Sequence, residues 1–96
     1  MQKQISVGLD RVENDVFLVF NFDNPLKLNL CSDNQQEVKK FFQDLLKILF
    51  EAYHESDTEY SLLFNDEQDD LYHDVAKKYV GVLMNEIQGV YSSFKV

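Results

Sequence analysis

The sequence predicts an α+β fold in which a three-stranded antiparallel sheet packs against two amphipathic helices, in the order βββαα. Two observations predict this class. Apolar and polar side chains alternate in the first third of the chain, whereas apolar residues recur every three or four positions from 38 to 94. A third observation sets the size: 96 residues, 45% of them hydrophobic, suffice for one domain with one core, spanning 1–96.

Three short strands are predicted before residue 31. Residues 5–9 alternate apolar and polar side chains, residues 16–22 are almost continuously β-branched or aromatic, and residues 26–30 alternate leucine with polar residues. Turn-forming residues lie between them, at 13–15 and 23–25. Short connections favour antiparallel pairing, so the prediction is a β-meander.

The middle strand is apolar on both faces. Its even-numbered residues from Val16 to Phe22 share one face, while Phe17 and Val19 point to the other. In so short a chain the helices can cover one face of the sheet. Cover for the second face would have to come from residues 60–64, a second copy of the chain or a partner protein. An apolar patch left uncovered would mark an interaction surface.

The first helix is predicted to begin after Ser32 or Asp33, either of which can cap it, and to end near residues 54–56. Its apolar residues recur at the helical spacing and predict one buried face. They are Val38, Phe41, Phe42, Leu45, Leu46, Leu49 and Tyr53.

The second helix is predicted to begin at Asn65 or Asp66, where Asn65 and Gln68 fit a capping box, and to reach residue 94. Gly81 and Gly89 favour a bend or an early end, because each weakens a helix by about 1 kcal/mol relative to alanine. Residues 60–64 fit either a fourth short strand or an apolar linker folded onto the core.

Charge is distributed unevenly along the chain, whose net charge is −8. Lysine and arginine are absent between Lys47 and Lys77, a stretch that we call the acidic segment. It holds nine of the seventeen acids: Glu51, Glu55, Asp57, Glu59, Asp66, Glu67, Asp69, Asp70 and Asp74. If the two helices were antiparallel, these carboxylates would crowd one pole, at a cost in self-repulsion. A binding role would explain that cost, and a solvated surface without a role is the alternative interpretation.

Composition and motifs argue against several functional classes. Negative charge disfavours nucleic acid and anionic membrane as direct partners. The chain has no glycine-rich phosphate loop or nucleophile elbow, and Cys31 has no histidine near it in sequence. Two histidines with one thiol do not predict a zinc site, and the acidic segment lacks the glycine of a calcium loop. We therefore expect a cytoplasmic protein that is not an enzyme and has no cofactor or metal.

The best functional hypothesis is a small acidic inhibitor whose carboxylates replace phosphates on the basic surface of a nucleic-acid-binding protein, such as a nuclease or a CRISPR or restriction effector. In size and charge the chain resembles immunity proteins against nuclease toxins and phage anti-CRISPR or anti-restriction proteins, without sharing a motif with them. The predicted binding residues are Glu55, Asp57, Glu59, Tyr60, Phe64, Asp66, Glu67, Asp69, Asp70, Tyr72 and Asp74. The alternative is a homodimeric structural or adaptor protein that uses the exposed face of the central strand.

Overall fold

A computed structural model describes residues 1–95, which form one sheet and two helices. The α+β class is therefore confirmed, with the element order βββαβα. The elements are β1 (Gln2–Val12), β2 (Asp15–Phe20), β3 (Leu26–Asn29), α1 (Gln35–Ser56), β4 (Glu59–Phe64) and α2 (Leu71–Phe94).

The sheet is mixed, with the strand order β3-β2-β1-β4. β1, β2 and β3 form the predicted antiparallel meander. β4 instead pairs with β1 in parallel, from Gln2↔Glu59 to Val7↔Phe64. The expectation of a wholly antiparallel sheet is wrong for this strand, because α1 carries the chain back to the end of the sheet where β1 begins, and a parallel pair needs such a crossover.

Both helices pack on one face of the sheet, and the core lies between the two layers. Val7, Leu18 and Phe20 are completely buried. The ring of Phe20 lies 5.2 Å from that of Phe41 on α1, centroid to centroid. The other main contributors to the core are Ile5, Leu28, Leu45, Leu49, Leu62, Ala76, Val80, Leu83, Ile87 and Tyr91.

The N-cap of α1 lies two residues after the earlier of the predicted caps. Asn34 is its N-cap and accepts a hydrogen bond from the Gln36 N–H at 2.9 Å, so the expected capping by Ser32 or Asp33 is wrong. The Ser32 hydroxyl instead accepts from the Asn34 N–H, which stabilises the turn before the cap. The helix ends at Ser56, within the predicted range.

α2 begins at Leu71, five residues after the later of its predicted starts. Its N-cap is Asp70, which accepts from the His73 N–H at 2.9 Å, and the predicted capping box from Asn65 to Gln68 does not form. The helix then runs without interruption through Gly81 and Gly89 to residue 94, so neither glycine ends it.

The two helices run parallel to each other, because β4 lies between them in the chain. Aromatic rings in the last two turns of each helix are adjacent: the ring centroid of Phe50 lies 5.7 Å from that of Phe94, and that of Tyr53 lies 5.9 Å from that of Tyr91. The antiparallel arrangement considered from the sequence is therefore wrong. Both helices begin at the end of the molecule where β1 finishes.

Candidate interaction surfaces

The acidic segment is divided between the two ends of the molecule. The Glu59 N–H donates to the carbonyl of Met1, at the start of β1, whereas Asp66 lies beside Arg11 near the finish of β1. At about 3.3 Å per residue, β4 separates these two groups of acids by about 20 Å. The single acidic pole that antiparallel helices would produce does not form.

A different acidic surface forms where the helices begin. The connections β1–β2, β3–α1 and β4–α2 meet there. At the start of β2, Asp15 Oδ1 accepts a hydrogen bond from Asn29 Nδ2 at 3.1 Å, and Cys31 Sγ before α1 lies 3.9 Å from Tyr72 Oη on α2. We call this surface the acidic end. Its carboxylates are those of Asp10, Glu13, Asp15, Asp33, Glu37, Asp66, Glu67, Asp69, Asp70 and Asp74. Half of them lie outside the acidic segment, and sequence reasoning missed them because only the topology brings their loops together.

Arg11 is the cation at the centre of the acidic end. Its guanidinium donates two hydrogen bonds to Asp66, both of 3.0 Å, and two to Asp70, both of 2.8 Å. The bonds from Arg11 hold the pKa of both carboxyls below the ordinary value, against the opposing effect of burial. The Asp66 side chain is only 7% exposed, so its charge is engaged within the protein.

His73 completes this ion cluster. Its Nδ1 lies 3.1 Å from Asp66 Oδ2, and its ring centroid lies 5.2 Å from that of Phe64. Together these contacts fasten the loop of residues 65–70 to the finish of β1 and to the first turn of α2. Glu67 and Asp69 therefore project from a fixed loop, and both are exposed.

Eight carboxylates of the acidic end remain exposed. They are Asp10, Glu13, Asp15, Asp33, Glu37, Glu67, Asp69 and Asp74. Two predicted aromatic residues lie at the same end: Tyr72, which is 38% exposed, and Phe64, which is half-buried against the His73 ring. Seven of the eleven predicted binding residues thus lie at the acidic end.

The other four predicted binding residues lie at the opposite end. Glu55 and Asp57 are exposed there, and Glu59 forms a 3.0 Å ion pair with Lys95. Tyr60 is half-buried, and its N–H donates to Tyr91 Oη at 2.7 Å. The length of β4, about 20 Å, separates the two sets, so they do not form one cluster.

An apolar groove runs between α1 and α2, which we call the helix groove. Phe42 and Leu46 line one side, and Tyr79 and Val82 line the other, around a space of about 480 Å³. Leu46 is 47% exposed and Val82 is 58% exposed. The sequence contained a signal for this groove, because α1 carries a second apolar stripe beside its buried one. The predicted buried face contained both stripes, and it is wrong for Phe42 and Leu46, which are exposed in the groove.

The sheet face turned away from the helices, which we call the outer face, is open. Phe17 and Val19 are half-buried there, and Leu63 is 48% exposed. Residues 60–64 form the edge strand β4 and do not cover this face. The prediction that β2 is apolar on both faces is confirmed, and within residues 1–95 no element lies over the outer one.

Other kinds of site find little support in the described part of the chain. Among residues 1–95, no three or more histidine, cysteine, aspartate or glutamate side chains are grouped so that they could hold a metal ion. None of the helices described here has the length and apolar character needed to cross a membrane. No family model, curated protein or solved structure matches this chain.

Proposed function

We propose that this protein is a small non-enzymatic inhibitor whose acidic end docks onto the basic nucleic-acid-binding surface of a partner, of the nuclease or CRISPR or restriction effector type. One observation supports this proposal above the others. Residues 10–15, 30–38 and 65–74 contribute ten carboxylates to the acidic end and a single arginine, Arg11. Four exposed lysines, Lys39, Lys40, Lys77 and Lys78, follow in the next turn of each helix. The surface is therefore predominantly acidic, and it attracts a basic protein and accelerates the encounter.

The charge is sufficient to replace a short stretch of nucleic acid. Duplex DNA carries one negative charge per roughly 1.7 Å, so eight exposed carboxylates equal the charge of about 14 Å of duplex. The molecule measures 28 × 22 Å across its two shorter axes. The acidic end is therefore less densely charged than DNA, but its charge is predominantly negative and its width fits a nucleic-acid-binding groove.

Charge alone does not hold such a complex together. At physiological ionic strength the Debye length is about 8 Å, so attraction between exposed charges acts mainly at contact. Tyr72 supplies an aromatic ring at the acidic end on which a partner's arginine can stack. We infer that Tyr72, Glu67 and Asp69 form the centre of the contact.

Paired charge reversals test the proposal. The variant Glu67→Lys/Asp69→Lys changes the acidic end, and Glu51→Lys/Glu55→Lys makes the same change in net charge at the opposite end. Proteins captured from a lysate at low salt are identified, and the affinity of each purified candidate is measured for wild type and both variants. We expect the first variant to lose at least about tenfold in affinity and the second to stay within about twofold.

Competition with nucleic acid is the decisive readout. Duplex DNA or RNA should displace the protein from its partner, because both occupy the same basic surface. The proposal fails if the two variants lose affinity equally, since bulk charge would then explain binding. It also fails if the captured partner binds nucleic acid and this protein at the same time.

A further inference from the structure

We propose that two copies of this chain pair through the outer face of the sheet, about a two-fold axis that runs along β2. The observation behind this proposal is a self-complementary pattern of side chains on that face. It does not rest on the proposed inhibitor function, although it shares Asp10 with the acidic end.

The apolar part of the pattern lies on β2. Phe17 and Val19 stand on the outer face, and the helices that bury the other face of β2 leave these two residues uncovered within residues 1–95. A two-fold axis along β2 stacks Phe17 and Val19 on the same residues of the second copy. Face-to-face packing of this kind buries apolar side chains between sheets about 10 Å apart.

The charged part of the pattern flanks β2. Lys27 on β3 lies directly beside Val19, and Asp10 on β1 lies directly beside Phe17. An axis along β2 places β3 of one copy over β1 of the other. Lys27 of each copy then lies over Gly8 of the second copy, and its side chain can reach Asp10 two residues along β1, which gives two symmetric ion pairs.

Gly8 provides space for the lysine. It lies beside Val19 on β1, opposite to Lys27 on β3, so the same axis brings the aliphatic part of Lys27 over Gly8 of the second copy. Gly8 has no side chain to block this position, and the carbonyl oxygen of Asn65 lies 3.4 Å from where a Cβ would stand. Asp10 follows two residues along β1, within reach of the lysine ammonium group.

Two further acids stand at the borders of the outer face. Asp15 accepts a hydrogen bond from Asn29, and Glu59 pairs with Lys95. Asn29 is neutral, so Asp15 keeps its charge, and an axis along β2 sets it opposite Asp15 of the second copy, which weakens the dimer. The face is narrow, so the dimer should form at high protein concentration and dissociate on dilution.

A charge swap tests the pairing directly. Sedimentation velocity of the full chain, over a wide concentration range at physiological salt, gives the dimer dissociation constant. We expect Lys27→Asp and Asp10→Lys each to raise it about tenfold or more, because each leaves two like-charged pairs. The double variant Lys27→Asp/Asp10→Lys should restore the wild-type value, which a misfolded protein would not do. Lys39→Asp on α1 is the matched control and should have little effect.

Three results would overturn the proposal. The first is a monomer at every concentration. The second is a double variant that stays as weak as the single ones. The third is a dimer that persists in both single variants, Lys27→Asp and Asp10→Lys, but dissociates on Leu46→Glu. That result would place the interface in the helix groove.

Discussion

Arg11 joins two parts of the chain that are far apart in sequence, since it bonds both Asp66 and Asp70 from the finish of β1. We predict that Arg11→Met lowers the free energy of unfolding by about 2 kcal/mol, because it leaves the 7%-exposed Asp66 carboxylate without its strongest hydrogen-bond donor. Urea denaturation measures the change. Lys40→Met, which removes an exposed pair with Asp44, is the control and should cost about 0.5 kcal/mol or less.

Arg11 also makes the free energy of unfolding depend on pH. Arg11 lowers the pKa of Asp66 and Asp70 in the folded protein, so their contribution to stability is present above about pH 4 and disappears as the pH falls through the folded-state values. In Arg11→Met the free energy of unfolding should therefore fall less steeply on acidification than in the wild type. Parallel curves for the two proteins would contradict this role of Arg11.

At the scale of elements, the end of α1 stores backbone strain. Asp57 has φ of 51°, in the left-handed region that favours glycine, and its N–H donates to the carbonyl of Tyr53. We predict that Asp57→Gly raises the free energy of unfolding by about 0.5–1 kcal/mol, because glycine adopts this conformation without steric cost. Thermal and urea denaturation measure the gain.

Alanine separates this effect from that of charge. Asp57→Ala removes the same carboxylate from the C-terminal end of a helix but keeps a Cβ in the left-handed region. Asp57→Ala should therefore not raise the free energy of unfolding as Asp57→Gly does. If alanine and glycine stabilise the protein equally, the cause is the lost negative charge and not the backbone conformation.

The start of α2 illustrates how tertiary contacts override a local signal. Asn65 and Gln68 fit a capping box in sequence, but Asp66 is held by Arg11 and His73 in the loop before the helix. Asp70 then caps the helix while it also bonds Arg11. Capping residues are frequent between positions 65 and 70, and the ion cluster decides which of them is used.

At the scale of the whole molecule, the acidic end should destabilise the fold at low salt. We predict that raising the NaCl concentration from a few millimolar to physiological strength increases the free energy of unfolding, because repulsion among exposed carboxylates is screened. Glu67→Gln/Asp69→Asn should be more stable than wild type at low salt, by about 0.5 kcal/mol, and less dependent on salt. Equal salt dependence of the two proteins would locate the repulsion elsewhere.

The two proposals also combine at this scale. An axis along β2 keeps the direction of both chains, so the proposed dimer would carry its two acidic ends on the same side. A partner with two basic sites, or one long basic groove, would then bind both copies at once, and its overall affinity would exceed that for a single copy. The cost is repulsion between the acidic ends, which screening limits at physiological salt.

Local patterns in the sequence determined the fold class, the first three strands, the end of α1 and the two-faced character of β2. Each follows from periodicity or turn chemistry within about twenty residues, where the backbone geometry of a helix or strand fixes which side chains share a face. The apolar character of the outer face follows for the same reason, because Phe17 and Val19 alternate with the buried residues of β2, whereas the absence of cover by residues 60–64 did not follow from the sequence.

Tertiary structure alone decided the direction of β4, the parallel helices and the composition of the acidic end. These depend on contacts such as Gln2 with Glu59 and Arg11 with Asp66, which span more than fifty residues. A carboxylate run in the sequence specifies charge but not position. The pairing of β4 with β1 turned the chain so that one acidic segment was divided, while acids from three distant loops were brought to one surface.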